Sequence, residues 1–155
     1  MRLFTKVKEI RSKSGELHFE RFAILETDSF GVYIHRIHKG DKDPHLHSHP
    51  WNFWTMVLKG RYSEEYLGKD LFLDNQKFVR VKNFLSIASG DRNYFHKILR
   101  VYETTYTVFV TYGKPQKWYY KVRGENIESN KYRQLKREGK LPHEPANGIG
   151  MEVVR

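Results

Sequence analysis

The sequence predicts an all-β fold, an antiparallel sandwich or barrel with one short C-terminal helix. Three observations predict it. Short runs rich in aromatic and β-branched residues recur along most of the chain. Clusters of Gly, Asp, Asn, Ser and Pro separate these runs at regular intervals, and helical apolar spacing is confined to one segment around Tyr132. Strands joined by such short turns pair most simply in antiparallel fashion.

The first three predicted strands are Leu3–Ile10, Leu17–Glu26 and Gly31–His38. Each mixes apolar and charged residues in loose alternation, as a strand with one covered face does. Ser14-Gly15, Asp28-Ser29 and the run Lys39-Gly40-Asp41-Lys42-Asp43-Pro44 mark their ends. Next come Phe53–Leu58, Arg61–Leu67, Leu71–Leu73, Lys77–Val81 and Leu85–Ala88, with turn signals at Lys59-Gly60, Gly68-Lys69-Asp70, Asp74-Asn75 and Ser89-Gly90-Asp91. Phe95–Glu103, Thr104–Tyr112 and Lys117–Val122 close the set. The helix is expected over 129–138. Ser129 or Asn130 can cap it, Tyr132 and Leu135 form an i, i+3 apolar pair, and Gly139 stops it. Its Lys131, Arg133, Lys136 and Arg137 read as a solvated basic face.

Residues 1–140 read as one domain, with no internal repeat and no linker. The chain of 155 residues is long enough to bury its own core. Residues 141–155, with Pro142, Pro145, Gly148 and Gly150, read as a loosely docked or disordered tail.

Composition sets the chemical setting. With 28 Lys and Arg against 18 Asp and Glu, the net charge is +10. Such a surface attracts anions, or simply keeps the protein in solution. Without a basic run of the kind a nucleic-acid tail carries, nucleic-acid binding through the outer surface is possible but not favoured. No segment approaches the roughly 20 apolar residues of a membrane span, and Met1-Arg2-Leu3-Phe4 lacks a signal peptide's apolar centre. The absence of Cys excludes disulfides and thiolate ligands and fits a cytoplasmic location.

The chemistry concentrates in histidines. His45, His47 and His49 run into Pro50-Trp51-Asn52-Phe53-Trp54, and His96 follows in a second segment opened by Gly90. Alternate residues of a strand share a face, so a His-x-His pair aims two imidazoles at one point. A third imidazole from a neighbouring strand completes a metal site with open positions. Three histidines on one strand span too far for one ion, at roughly 6.5–7 Å per two residues. His47 and His49, which lead into the aromatic strand, form the expected pair, with His96 as their distant partner. His45 sits at the mouth of the loop.

His47-Ser48-His49, Gly60, Gly90 and His96 resemble the two metal-binding motifs of the cupin superfamily. The resemblance runs from about Ile34 to Tyr120. The phrases His47 to Trp54, Lys59 to Glu65 and Thr107 to Trp118 are similar to a group of small bacterial and phage cupins with a His-x-His-Pro-Trp motif. It implies a double-stranded β-helix, a jelly-roll barrel with a metal at its centre. His47 and His49 match the first motif's pair, Gly60 its turn glycine, and His96 the second motif's ligand.

One departure stands out: Asn52-Phe53 occupies the place of the first motif's glutamate. Three-histidine cupins such as the thiol dioxygenases lack that carboxylate too. Three neutral imidazoles leave the ion's charge uncompensated, which favours an anionic substrate. Glu64 and Glu65 are neighbours on a strand, so only one faces inward. Glu64 shares parity with Tyr62 and Tyr66 and is expected to face the cavity as a ligand, a proton carrier or a substrate-orienting group.

Trp51, Phe53, Trp54, Tyr94 and Trp118 are the expected lining. Arg36, Arg61, Arg92 and Lys97 are candidates for holding a substrate carboxylate or phosphate. Glu64, Arg61 and Arg92 form the expected catalytic set. A partial ligand set with open positions lets oxygen and substrate bind the same ion, which points to an iron(II)-type dioxygenase acting on a small anionic substrate, with Zn, Mn or Ni as other ions that imidazole accepts. The alternatives are a metal-assisted isomerase, epimerase or lyase, and a non-catalytic module that binds a nucleotide or sugar phosphate. Cupins commonly form dimers, so a homodimer is implied as well.

Overall fold

The computed structural model describes residues 1–68 and 76–142. The strand expected at Leu71–Leu73 and the tail from residue 143 onward lie outside the described residues. Ten strands and one helix follow in order: β1 Arg2–Arg11, β2 Leu17–Glu26, β3 Phe30–Ile37, β4 Leu46–His47, β5 Asn52–Leu67, β6 Lys77–Lys82, β7 Ile87–Gly90, β8 His96–Tyr112, β9 Tyr119–Val122, β10 Glu125–Glu128 and α1 Ser129–Arg137. Every pairing is antiparallel. The all-β class with one short helix is therefore the observed one.

Two long strands organise the molecule. β8 pairs with β3 and β5 through its second half, as in Val32↔Val110 and Thr55↔Phe109. Its first half stays on β5, down to Tyr66↔His96, while His96 also opposes His47 of β4. The sheet runs β1-β2-β3-β8-β4-β9-β10, and β5 adds β6 and β7. Ala23, Tyr33, Phe53, Tyr94 and Phe109 form one core cluster, and Tyr120, Val122 and Tyr132 form a second beneath α1.

Several local expectations need correction. Lys59-Gly60 does not end a strand, because β5 runs through it. Gly60 has φ +93, and the register against β8 shifts on either side of it. This is a bulge that bends the strand, and only glycine fits it: a Cβ would sit 2.6 Å from the Thr105 Cα. Likewise 95–103 and 104–112 are not two strands, because β8 continues across the expected break.

Leu85 lies in a turn with φ +63, its N–H donating to the Val57 carbonyl. β10 was not expected; Arg123 and Gly124, at φ +49 and +84, make the hairpin turn that pairs Val122 with Glu125. Glu128 rather than Ser129 or Asn130 precedes α1, and it makes no side-chain cap. The helix is held by packing, with Tyr132 fully buried and stacked on Tyr120 at 3.6 Å between ring centroids. Among the described residues, no helix is long and apolar enough to cross a membrane.

Candidate metal centre

His47 sits on β4 and His49 two residues beyond it. Ser48 between them is clamped to β9: its N–H donates to the Tyr119 carbonyl at 2.9 Å, and its Oγ accepts the Tyr119 N–H at 3.0 Å. The clamp keeps the segment extended, so both imidazoles project to the same side. His96 opens β8 as the direct partner of His47. Ring centroids lie 5.4 Å apart for His47–His49, 5.2 Å for His47–His96 and 5.0 Å for His49–His96. One nitrogen from each ring falls within 4.8 Å of the others.

The Nε2 atoms of His49 and His96 approach to 2.8 Å. Two lone pairs cannot face each other at that distance, so the contact requires a shared proton or a cation. Burial pushes the His47 imidazole down to about 4 and the His49 imidazole well below its ordinary range. Both are therefore neutral near pH 7, the form that ligates metal. The donor set fits a divalent transition ion with open positions toward the cavity.

Behind His96 lies a buried charged cluster. Glu64 Oε2 sits 3.7 Å from His96 Nδ1 and 2.7 Å from Lys82 Nζ. Its Oε1 accepts from Arg80, 2.7 Å from the nearer guanidinium nitrogen, and from the Tyr94 hydroxyl. Burial opposes the Glu64 charge, but His96, Lys82 and Arg80 outweigh it and hold the carboxyl well below the usual carboxylate range.

The three histidines, Glu64 and Lys82 face a cavity of about 370 Å³ lined also by Phe53, Tyr62, Phe109, Trp118 and Tyr120. That volume falls within the order of 300–1,000 Å³ that suits small-molecule sites. Lys8, Arg21, Lys39, Lys42, Arg133 and Lys136 add positive charge to its wall, against Asp41 and Asp43.

The structure brings His47, His49, His96 and Glu64 together at this cavity, and Glu65 turns away to pair with Lys97 at 3.1 Å. It does not bring the expected arginines. Arg61 is exposed over the Tyr102 ring at 4.7 Å, and Arg92 lies near Gly113, off the cavity wall. Arg36 pairs with Glu20. His45 is buried apart from the triad, its Nδ1 2.8 Å from the Tyr132 hydroxyl.

Of the expected aromatics Phe53 and Trp118 line the cavity, while Tyr94 stands behind Glu64 and Trp51 and Trp54 lie outside the lining. Sequence reasoning missed Arg21, His35 and Lys82, all cavity residues, and Arg80 behind Glu64. Alternation offered one signal, since His35 shares parity with the buried Tyr33 and Ile37.

No family model matches this chain, and no curated protein matches it. Solved structures do. Iron(II)-loaded HppE with the alternative substrate (S)-1-HPP superposes with a TM-score of 0.52 at 11% identity, over 69% of this chain and 55% of that one. A candidate mannose-6-phosphate isomerase from Ralstonia eutropha JMP134 gives 0.51 at 15% identity, over 61% and 84%. Hydroxypropylphosphonic acid epoxidase from S. wedmorenis gives 0.50 at 10% identity, over 72% and 59%. The fold is the cupin barrel. The alignment spans little more than half of the HppE chain. Within the cupin barrel the three imidazoles converge between β4 and β8, at the cavity that the curled strands enclose.

Proposed function

We propose that this cupin holds a divalent transition metal ion, iron(II) foremost, through His47, His49 and His96, and acts as an oxygenase on a small anionic substrate. The observation that carries the reading is the convergence of ring nitrogens from segments 47 residues apart at one point of a cavity. When bound, such an ion supplies redox and Lewis-acid chemistry at its open positions.

The chain's own residues do the rest. His47 and His49 stay neutral and offer lone pairs. Glu64, fixed by Arg80, Lys82 and Tyr94, faces His96 Nδ1 at 3.7 Å, beyond hydrogen-bond distance, and biases the orientation of that ring through its charge. A carboxylate tied to two cations is a weak base, so its role is to position His96 rather than to carry protons. Phe53, Phe109 and Trp118 give the cavity apolar walls that limit water. The surplus of Lys and Arg on the same wall favours an anion. Two proteins of this fold are named for anionic compounds, a phosphonic acid and a sugar phosphate, which supports the same preference.

Elemental analysis of protein purified without chelators tests the reading, together with oxygen uptake by iron(II)-loaded protein across a panel of small carboxylates and phosphonates. Stoichiometric metal in the wild type, lost in His47→Ala, His49→Ala and His96→Ala, is the expected result. Firm zinc with no oxygen consumption replaces the oxygenase with a metal-assisted isomerase or lyase. No metal in the wild type overturns the site.

A further inference from the structure

Arg21 stands on β2 directly across from His35 on β3. Its Nε donates to His35 Nε2 at 2.9 Å. Burial first, and then the Arg21 charge, keep the His35 imidazole neutral and thus able to accept that bond. The bond uses one of the guanidinium's five N–H donors. The terminal fork meets no carboxylate, for among the described residues Arg21 makes no ion pair and no other hydrogen bond. Aromatic rings surround the guanidinium carbon instead: Tyr33 at 5.0 Å, Phe109 at 5.5 Å, and Phe19 and Trp51 at 5.9 Å each. A half-buried arginine wrapped in aromatics, with no carboxylate in ion-pair contact, carries incompletely balanced charge into the cavity it lines.

Neighbouring charges sharpen the imbalance. Lys8 and Arg133 line the same cavity, and burial, then Arg21 and Arg133, lower the Lys8 ammonium below its ordinary value. Glu26 attracts the guanidinium from beyond ion-pair distance, and the acids of the cavity wall are committed elsewhere. Glu64 is held by Arg80 and Lys82, Asp43 by Lys136, and Asp41 accepts the Ile98 N–H at 2.7 Å. Phe109 links this cationic wall to the metal centre: its ring lies 5.5 Å from the guanidinium carbon and 6.0 Å from the His49 ring. The guanidinium and the His49 ring thus flank the same Phe109 ring on the cavity wall.

We propose that Arg21, braced by His35, is the anion anchor of the cavity: its fork takes two oxygens of a carboxylate, phosphate or phosphonate group while the remainder of the molecule reaches the three-histidine centre. The anchor's part in substrate binding rests on the proposed function; the anion site itself does not. Planar two-point recognition is the property that separates arginine from lysine.

Calorimetric titration of the full chain with inorganic phosphate and, separately, with acetate, at low ionic strength, tests the proposal. Metal content is measured in every sample. His96→Ala serves as the background that removes competition from a bound ion. Saturable, Arg21-dependent binding is expected in the wild type and in His96→Ala. Arg21→Lys keeps the charge but loses the fork, and should weaken binding at least about tenfold in both backgrounds. Arg21→Met should abolish it. His35→Leu should weaken binding while His35→Gln, which keeps an acceptor, restores it. Metal content should be unchanged by every Arg21 and His35 substitution.

If Arg21→Met fails to fold, Arg21→Lys with a native circular dichroism spectrum carries the decision. Phosphate preferred over acetate assigns phosphates and phosphonates as the substrate class, and the reverse assigns carboxylates. Arg21→Lys binding as tightly as wild type, or no saturable wild-type binding even at tens of millimolar, overturns the anchor. Loss of the metal reading alone would leave Arg21-dependent phosphate binding intact, so the two failures are separable.

Discussion

His47 and His96 oppose each other directly in the β4–β8 pairing, and their rings lie 5.2 Å apart. Backbone hydrogen bonding therefore sets the spacing of two candidate ligands before any ion is present, and the Ser48–Tyr119 clamp adds the third. A site built this way is preorganised by the sheet. His47→Ala, His49→Ala and His96→Ala should each release the ion and leave the fold intact by circular dichroism. His45→Ala should keep the ion. Its cost should appear in stability instead, about 1–3 kcal/mol, because it strips the Tyr132 hydroxyl of a buried partner. Elemental analysis beside urea denaturation reads both effects.

Glu64 makes the opposite prediction, for it should affect metal and stability together. Its carboxylate balances Arg80 and Lys82 with only 1% of the side chain exposed. Glu64→Gln leaves two cations uncompensated and should cost about 3–5 kcal/mol. It should also weaken metal binding about 10- to 100-fold through loss of the group that faces His96 Nδ1. A competition titration against a chromogenic chelator measures the second effect. Unchanged affinity there would assign Glu64 to the fold alone.

What the sequence revealed followed from parity, and what it hid depended on register. The alternation of His47 and His49, and of Tyr62 and Glu64, placed those residues on the cavity side without any knowledge of partners. The same rule applied to Arg61, next to the inward Tyr62, points it outward, where it is found. Choosing Arg61 and Arg92 for their nearness to the motifs ignored that rule. Arg21 was beyond reach for another reason. Its pairing with His35 depends on the β2–β3 register, which a bulge between Ala23 and Leu25 shifts farther along the strand. Four residues, Glu125 to Glu128, carry too little alternation to announce β10.

Gly60 separates backbone strain from side-chain crowding. Gly60→Ala combines φ +93 with a Cβ 2.6 Å from the Thr105 Cα, whereas Gly15→Ala meets φ +85 with nothing within 4 Å. The first should cost more than about 3 kcal/mol, and the second about 1 kcal/mol. Urea denaturation of both variants compares them directly. Because the bulge lies in β5 ahead of Glu64, Gly60→Ala should also loosen metal binding, while Gly15→Ala should not.

Acid should destabilise the metal-free protein before any carboxylate titrates. Burial holds His35 and His49 well below their ordinary range and His47 down to about 4. In the unfolded chain each of these imidazoles takes a proton as pH falls through about 6.5. The unfolded state then binds more protons than the native one, so stability rises with pH across that window. It is fully present above about pH 7.5 and declines below about 6.5, by up to ~1.4 kcal/mol per pH unit for each histidine. Glu64, held low by its cations, begins to add its own loss as pH falls through the ordinary carboxylate range, where the unfolded chain takes up that proton first. The urea midpoint of chelator-treated protein, followed from neutral pH downward, should therefore fall steeply. His35→Gln should flatten the slope by about one proton while leaving the contribution of His47 and His49. A midpoint that stays level through the histidine range would show that these rings accept protons as freely in the folded barrel as in the open chain.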